Sequence, residues 1–255
     1  MRGNGLKFRL LIGAVIVAFA FLKRCGNKTV NPYTNRVQNI NMDPQQEIAI
    51  GRESAPQMAQ QHGGLHPDEK LQLFIDNIGN KLVNNSMARE TPYQYDFHLL
   101  ADPSTVNAFA LPGGQIFITH GLLSRLQNED QVAGVLGHEI GHVLGRHSAE
   151  RIADSDFWRT VSAGASVGAD AGGLVSQYGQ STLLKNGRDD ELESDELGVL
   201  FMINSGYNPE EMIGVMKILK EASGGSRVPE FQSSHPDPEN RIEHIREAIE
   251  KYRQH

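Results

Sequence analysis

The sequence predicts an α+β fold that is mainly α-helical, with a small β-sheet packed beside one buried helix. Three observations predict it. Apolar residues recur at helical spacing in two long stretches, Leu71, Phe74, Ile75, Ile78 and Leu82, then Val132, Val135, Leu136, Ile140, Val143 and Leu144. Strand-like patterning is confined to Tyr95-Asp96-Phe97-His98-Leu99 and Gln115-Ile116-Phe117-Ile118-Thr119, the second preceded by the turn Pro112-Gly113-Gly114. Helix-start signals stand at Asp43-Pro44 and at Asn128. The 255 residues allow one sizeable domain with appendages, and no internal repeat is visible.

The chain begins with Arg2, Lys7 and Arg9, followed by an uninterrupted apolar run of 13 residues from Leu10 to Leu22. This reads as an export signal or a short N-terminal membrane anchor over residues 1–24. Ala18-Phe19-Ala20 offers a cleavage pattern, although Phe21 and Leu22 prolong the apolar run past it. Cys25 is the sole cysteine, so no disulfide forms within the chain. Its place after an export signal makes it a lipidation candidate, against which Lys23 and Arg24 occupy positions where processing wants small residues. The net charge is −7, and because these first 24 residues are basic without an acidic group, the remainder is more acidic still. An acidic body excludes nucleic acid as a partner.

Residues 25–42, rich in Asn and Thr with Pro32, read as a linker, leaving 43–255 as the folded domain. Asp43 caps a helix, with Pro44 in its first turn and Gln46 placed for a capping box, and that helix should reach about Gln61. A second helix begins near Pro67. Tyr95 to Leu99 alternates as a half-buried strand, which puts His98 on its polar, solvent side. Asn107-Ala108-Phe109-Ala110-Leu111, the glycine turn and Gln115 to Thr119 then make a hairpin or short sheet. After the helix that follows Asn128, the chain is helical from Ala149 to Trp158. Thr160 to Gln180 is dominated by small residues and reads as a gate or as a loosely packed surface helix. Arg188 to Gly198 reads as an acidic helix start leading into Val199-Leu200-Phe201-Met202-Ile203.

The helix after Asn128 carries the chemistry, as His138-Glu139-Ile140-Gly141-His142, an H-E-x-x-H motif. Positions four apart lie above one another on a helix, so His138 and His142 can hold one metal ion together. Glu139 stands about 100° round the helix, beside such an ion, where a general base for water belongs. Gly134, Gly137, Gly141 and Gly145 each cost about 1 kcal/mol against Ala in a helix, so another element must pack against their backbone. Two histidines are too few for a hydrolytic zinc site, which takes three protein ligands. The position ten residues after His138, which one metalloprotease pattern fills with a third His, is Ser148. Glu191 and Asp195, four apart, remain. One of them can ligate while the other hydrogen-bonds a ligating histidine, unless both belong to a solvated acidic first turn.

These segments resemble the gluzincin peptidases that include the CAAX prenyl endopeptidases, the HtpX heat-shock protease and the BepA periplasmic proteases. The resemblance is carried by Gly137 to His142 through Arg146-His147-Ser148-Ala149-Glu150-Arg151, by Glu191-x-x-x-Asp195, by Asn107 to Gly114, and by Ser234-His235-Pro236 with Arg241. It covers roughly residues 45 to 250 and implies a mainly helical gluzincin domain with a small sheet. It also implies one zinc ion on His138, His142 and Glu191, with Glu139 catalytic and Asp195 supporting. The chain departs from the multi-spanning members, since no apolar segment beyond the N-terminus reaches spanning length. That places it nearer the BepA-like branch, with the catalytic domain exported, periplasmic or membrane-associated.

On this reading the chain is a zinc metalloendopeptidase acting on unfolded or misassembled envelope proteins, with membrane contact through its N-terminal segment. Glu139 takes the proton of the attacking water, and His235 or Arg241 supplies a second electrophile for the developing oxyanion. His235 can also reach the metal at rest and restrain the enzyme. Asn107, Ala108, Phe109 and Ala110 are the expected substrate-binding residues, because an extended peptide can pair with a free strand edge. The rival from another class is a zinc-stabilised envelope binding or chaperone-like module without proteolysis.

Overall fold

The computed structural model describes residues 3–222, 235 and 240–253; Ser234 and Pro236 to Glu239, singled out in sequence beside His235, lie outside them. In chain order the elements are helix α1 (Gly3–Gly26), strands β1 (Lys28–Val30) and β2 (Val37–Asn39), and helices α2 (Pro44–Gln61) and α3 (Glu69–Asn84). Strands β3 (Asp96–Leu100), β4 (Ala108–Ala110) and β5 (Gln115–Thr119) follow, then the short α4 (His120–Leu123) and α5 (Glu129–Leu144). The chain continues with α6 (His147–Ala169), α7 (Gly172–Asn204), α8 (Glu211–Ala222) and α9 (Arg241–Arg253). Two compact units emerge, one from residues 1–42 with 149–187, the other from 43–148 with 188–255.

The first unit contains the N-terminal helix, a β-hairpin and two helical arms. Residues that read as a tether in composition are ordered here, because Asn31 Oδ1 accepts from the backbone N–H groups of Tyr33 and Thr34 at 2.9 and 3.3 Å. That side-chain turn closes the antiparallel pair Lys28–Val30 with Val37–Asn39. Asn-rich composition suits a loose linker and a tight Asx turn equally well. The small-residue stretch from Thr160 to Gln180 is likewise helical on both arms, with Asp170 in the left-handed region (φ 53°) where α6 gives way to α7.

The second unit is the α+β core expected from the sequence. Asp43 and Gln46 form the capping box of α2, and Asn128 Oδ1 accepts from Gln131 N at 2.9 Å to cap α5. The sheet order is β3-β5-β4, with β3 parallel and β4 antiparallel to β5, so the hairpin is β4–β5 and β5 is central. Every residue of β5 is buried, as a strand covered on both faces must be. His98 is half-buried rather than on the solvent side, stacking on Phe117 at 4.6 Å and bonded to Gln115 at 2.9 Å. Its register sets it opposite Phe117 with the buried Gln115 two positions along the same strand, neighbours that a one-strand reading cannot see.

Helix α5 runs through the middle of this unit with no exposed residue from Val132 to Leu144. Its stripe Gly134, Gly137, His138, Gly141, His142 and Gly145 faces neighbouring chain. A Cβ on Gly137 would meet the backbone of Gly198 at 3.4 Å, and one on Gly141 would meet that of Ser194 at 3.0 Å. The glycines therefore let α7 lie against α5 backbone to backbone. Because Glu191, Ser194, Asp195 and Gly198 share one face of α7, this crossing carries both acidic residues to the two histidines. The expected acidic helix start is corrected by the same element. Glu191 lies five turns into α7, and Asp190, Glu191 and Asp195 are all buried.

Candidate metal centre

Four side chains converge where α5 and α7 cross. His138 Nε2 and His142 Nε2 are 3.0 Å apart, and each lies 3.3 Å from an oxygen of Glu191. His235 Nδ1 lies 3.1 Å from Glu191 Oε1 and 3.4 Å from His138 Nε2. These separations compare with the edge of about 3.3 to 3.4 Å expected for a tetrahedron of ligand atoms around zinc at roughly 2.0 to 2.1 Å.

The outer partners decide which ring nitrogens carry protons. A carboxylate only accepts, so Asp195 Oδ1, 2.8 Å from His138 Nδ1, places the proton on Nδ1 and leaves Nε2 bare. His147 Nε2 donates to Glu193 Oε2 at 2.8 Å, which leaves its Nδ1 to accept from His142 Nδ1 at 2.9 Å. His142 Nε2 is then bare as well. His235 Nε2 faces the carbonyl oxygen of Ala108 at 3.2 Å; when it donates there, its Nδ1, 3.1 Å from Glu191, turns a lone pair inward as well. Three lone pairs and a buried carboxylate meeting at about 3 Å repel one another unless a cation lies between them. The donor set of nitrogen and oxygen atoms fits zinc.

The protonation tendencies of His138, His142 and Glu191 follow from the same crowding. Burial pulls the His138 pKa down, but Asp195 and Glu191 outweigh it and raise the pKa to about 9, so Glu191 draws onto Nε2 a proton that a metal ion bound there would displace. Burial pushes the Glu191 carboxyl up, yet the surrounding His235, His142 and His138 hold it well below the usual range. His142 falls well below the ordinary imidazole value through burial. Thus Glu191 stays anionic at the centre of the cluster.

Glu139 differs from its neighbours. Neither of its carboxylate oxygens has a hydrogen-bond partner among the described residues, although both are fully buried, and His235 Nε2 stands 3.5 Å from Oε1. Burial raises its pKa, the direction a general base needs if it is to work near neutral pH. Arg241, expected as a second electrophile, instead forks onto Asp195, with Nη2 2.8 Å from Oδ1 and Nε 2.5 Å from Oδ2. Its Nη2 remains 3.4 Å from Glu191 Oε2, close to the cluster but committed to the carboxylate that orients His138.

The candidate substrate-binding residues divide by backbone direction. Asn107 O accepts from Thr119 N at 3.0 Å and Phe109 stands opposite Phe117, so both belong to the sheet interior. The Ala108 carbonyl turns away from β5 toward His235, and Ala110 O turns toward Ser148 Oγ at 3.5 Å. Ala108 and Ala110 therefore present the outer edge of the sheet.

Sequence reasoning missed His147 and Glu193. Arg146 takes a left-handed conformation (φ 57°) just past α5, anchored through Nε on buried Glu47 at 2.9 Å. The chain doubles back there, and the His147 ring packs on Gly145, where a Cβ would meet it at 2.3 Å. The only signal was the pair Gly145-Arg146 after a long helix, which reads as an ordinary stop. We expect His147→Ala to weaken metal affinity by roughly 10- to 100-fold with the fold intact, as loss of a ligand's outer partner does. Competition against a chromophoric chelator measures it, and unchanged affinity would make the histidine a packing residue.

The sequence profile of Peptidase family M48 matches residues 69–249. The mitochondrial metalloendopeptidase OMA1 of Schizosaccharomyces pombe is 31% identical over 183 residues, 69% of this chain and 52% of that protein. The beta-barrel assembly-enhancing protease of Escherichia coli is 28% identical over 199 residues, covering 73% and 40%. The chain thus spans about half or less of these two relatives. The metalloprotease YcaL of Escherichia coli is 26% identical over 260 residues, covering 96% of this chain and 98% of its own.

Proposed function

This chain belongs to peptidase family M48, and on that premise we propose that it is a zinc endopeptidase that cleaves unfolded or misassembled envelope proteins. The observation that carries the reading is the buried Glu139 carboxylate, unpartnered among the described residues, beside a cluster of four potential ligands. Zinc held by His138, His142 and Glu191 would supply the acidity that makes water a nucleophile near neutral pH. Glu139 takes a proton from the attacking water and returns it to the leaving amine nitrogen. Asp195, clamped by Arg241, holds His138 in the ligating tautomer, and His147 with Glu193 does the same for His142.

Substrate pairs in extended form along Ala108 and Ala110, beside the apolar side chains of Val135, Met212, Val215 and Met216 that line the wall next to His138 and Glu139. His235 at rest lies against Glu191 and the Ala108 carbonyl, so it would complete the ligand set of a bound metal ion while covering the strand edge, two places that a bound substrate needs. Displaced, it stands ready to donate to the oxyanion. His235→Ala should therefore lower the maximal rate on an unfolded protein and speed self-cleavage. If neither rate moves in a time course resolved on gels, the histidine has neither role.

Export is supported by the N-terminal helix, which is long and apolar enough to cross a membrane. Protease added to cells with a permeabilised outer barrier should digest the catalytic domain; survival of the domain until the inner membrane is opened would place it in the cytoplasm. The rival reading, a zinc-stabilised binding module, draws on the four potential ligands, since structural sites are closed by four. The two separate on Glu139→Gln: a binding module loses nothing, whereas an endopeptidase loses cleavage and keeps its metal.

A further inference from the structure

In the unit formed by residues 1–42 and 149–187, helices α1 and α6 run antiparallel in contact along their length. Arg24 pairs with Asp154 at one end, the Phe21 ring meets Phe157 at 5.1 Å, Val17 and Ile16 touch Gly164, and at the other end Arg9 donates to Val167 O at 3.1 Å and to Asp170 at 2.8 Å. At mid-length the backbones themselves meet. A Cβ on Gly13 would lie 2.6 Å from Gly164 O and 2.8 Å from Gly168 Cα. Packing through glycines four apart is how helices associate where lipid, rather than water, surrounds them.

Other features of the α6–α7 arms fit the same surroundings. From Thr160 to Leu184 the only charged residue is Asp170, and it is paired with Arg9. Within the arms the Ser162 hydroxyl bonds to the Gly172 carbonyl oxygen at 2.8 Å, and at their ends those of Thr160, Ser181 and Thr182 bond to the carbonyl oxygens of Asp156, Gln177 and Tyr178 at 2.8 to 3.1 Å. Leu174 on α7 is 74% exposed and Leu11 on α1 is 61% exposed, so the apolar surface of the anchor helix continues onto the arms. The Trp158 and Tyr178 rings meet edge to face at 5.4 Å at the end of the unit marked by Phe21 and Arg24, so aromatic and basic side chains gather at that end.

Resting on the reading of α1 as a membrane segment, we propose that residues 161–176 form a re-entrant helical hairpin that enters the lipid bilayer beside α1 and leaves on the side it entered. The bilayer is favoured over a protein partner by continuity with α1 and by the absence of unpaired charge. The 13 apolar residues of α1 extend about 20 Å and the arm from Thr160 to Ala169 about 15 Å, both short of about 30 Å of hydrocarbon, and the tip of the hairpin meets α1 at Arg9.

The test uses the full chain with Cys25→Ser, carrying single cysteines labelled with bimane at Leu11, Val167, Leu174 or, as a control in the other unit, Leu73, which is 59% exposed. Each is reconstituted into phosphatidylcholine vesicles with or without bromine on the acyl chains. We expect bromine to quench Leu174→Cys and Val167→Cys as strongly as Leu11→Cys, and to leave Leu73→Cys unchanged. Quenching at Leu11→Cys alone overturns the hairpin while α1 remains a membrane segment. Quenching at none of them overturns both.

Discussion

Glu139→Gln is expected to retain zinc at the level of the unaltered protein and to lose cleavage of an unfolded substrate by about 100- to 10,000-fold, the contribution of a positioned general base. The amide is nearly isosteric, so the cluster of His138, His142 and Glu191 keeps its geometry. What disappears is the only group near the cluster with two buried oxygens and no hydrogen-bond partner among the described residues. An amide cannot take a proton from water. Leaving a carboxylate in such a place costs free energy, visible in the upward push that burial gives its pKa, and a purely structural site has no need of it. Zinc content by atomic absorption beside the rate of peptide release separates the two effects. Equal rates in both proteins would transfer the proton step to another residue or remove hydrolysis from this site.

Glu191→Ala should lose zinc at concentrations that saturate the unaltered protein, whereas Asp195→Ala should weaken zinc by only roughly 10- to 100-fold. Glu191 offers an oxygen to both His138 Nε2 and His142 Nε2 at 3.3 Å, while Asp195 reaches the cluster indirectly, through His138 Nδ1 and Arg241. Asp195→Ala carries a second cost, because it strands the buried Arg241 guanidinium that forks onto it. The two variants therefore differ in opposite ways: Glu191→Ala is the worse binder, and Asp195→Ala the less stable metal-free protein. Thermal unfolding with and without zinc reads both, since a ligand at 100 times its Kd adds about 2.7 kcal/mol to the folded state. Full zinc occupancy in Glu191→Ala would place the third protein ligand elsewhere, with His235 the nearest candidate.

Local signals were enough for much of the chain. The capping box at Asp43, the cap at Asn128, the spacing of His138 and His142, and the β4–β5 hairpin each depend on residues within a few positions of one another, where backbone geometry leaves few alternatives. The glycine stripe on α5 announced a close neighbour by its cost alone. The need for a carboxylate partner followed from coordination number, and the resemblance to M48-type motifs placed it at Glu191. Composition was less informative: Asn-rich residues 25–42 read as a tether and Gly-Ala-Ser-rich 160–180 as a gate or loose helix, although one makes an Asx-turned hairpin and the other two helical arms.

What the chain order could not decide was everything that depends on distant groups meeting. Whether Glu191 or Asp195 faces the Nε2 atoms of His138 and His142 is set by the rotation of α7 where it crosses α5 at Gly137 and Gly141, a contact between residues more than fifty positions apart. Arg241 was expected to serve an oxyanion, and its fork onto Asp195 shows it committed to a carboxylate instead. His147 was invisible as a partner of His142, because the left-handed turn at Arg146 that brings it there is held by Glu47 from a remote helix. Helical periodicity and ligand spacing are properties of one segment and can be read from it. The direction of a side chain across a helix crossing is a property of two, and packing alone determines it.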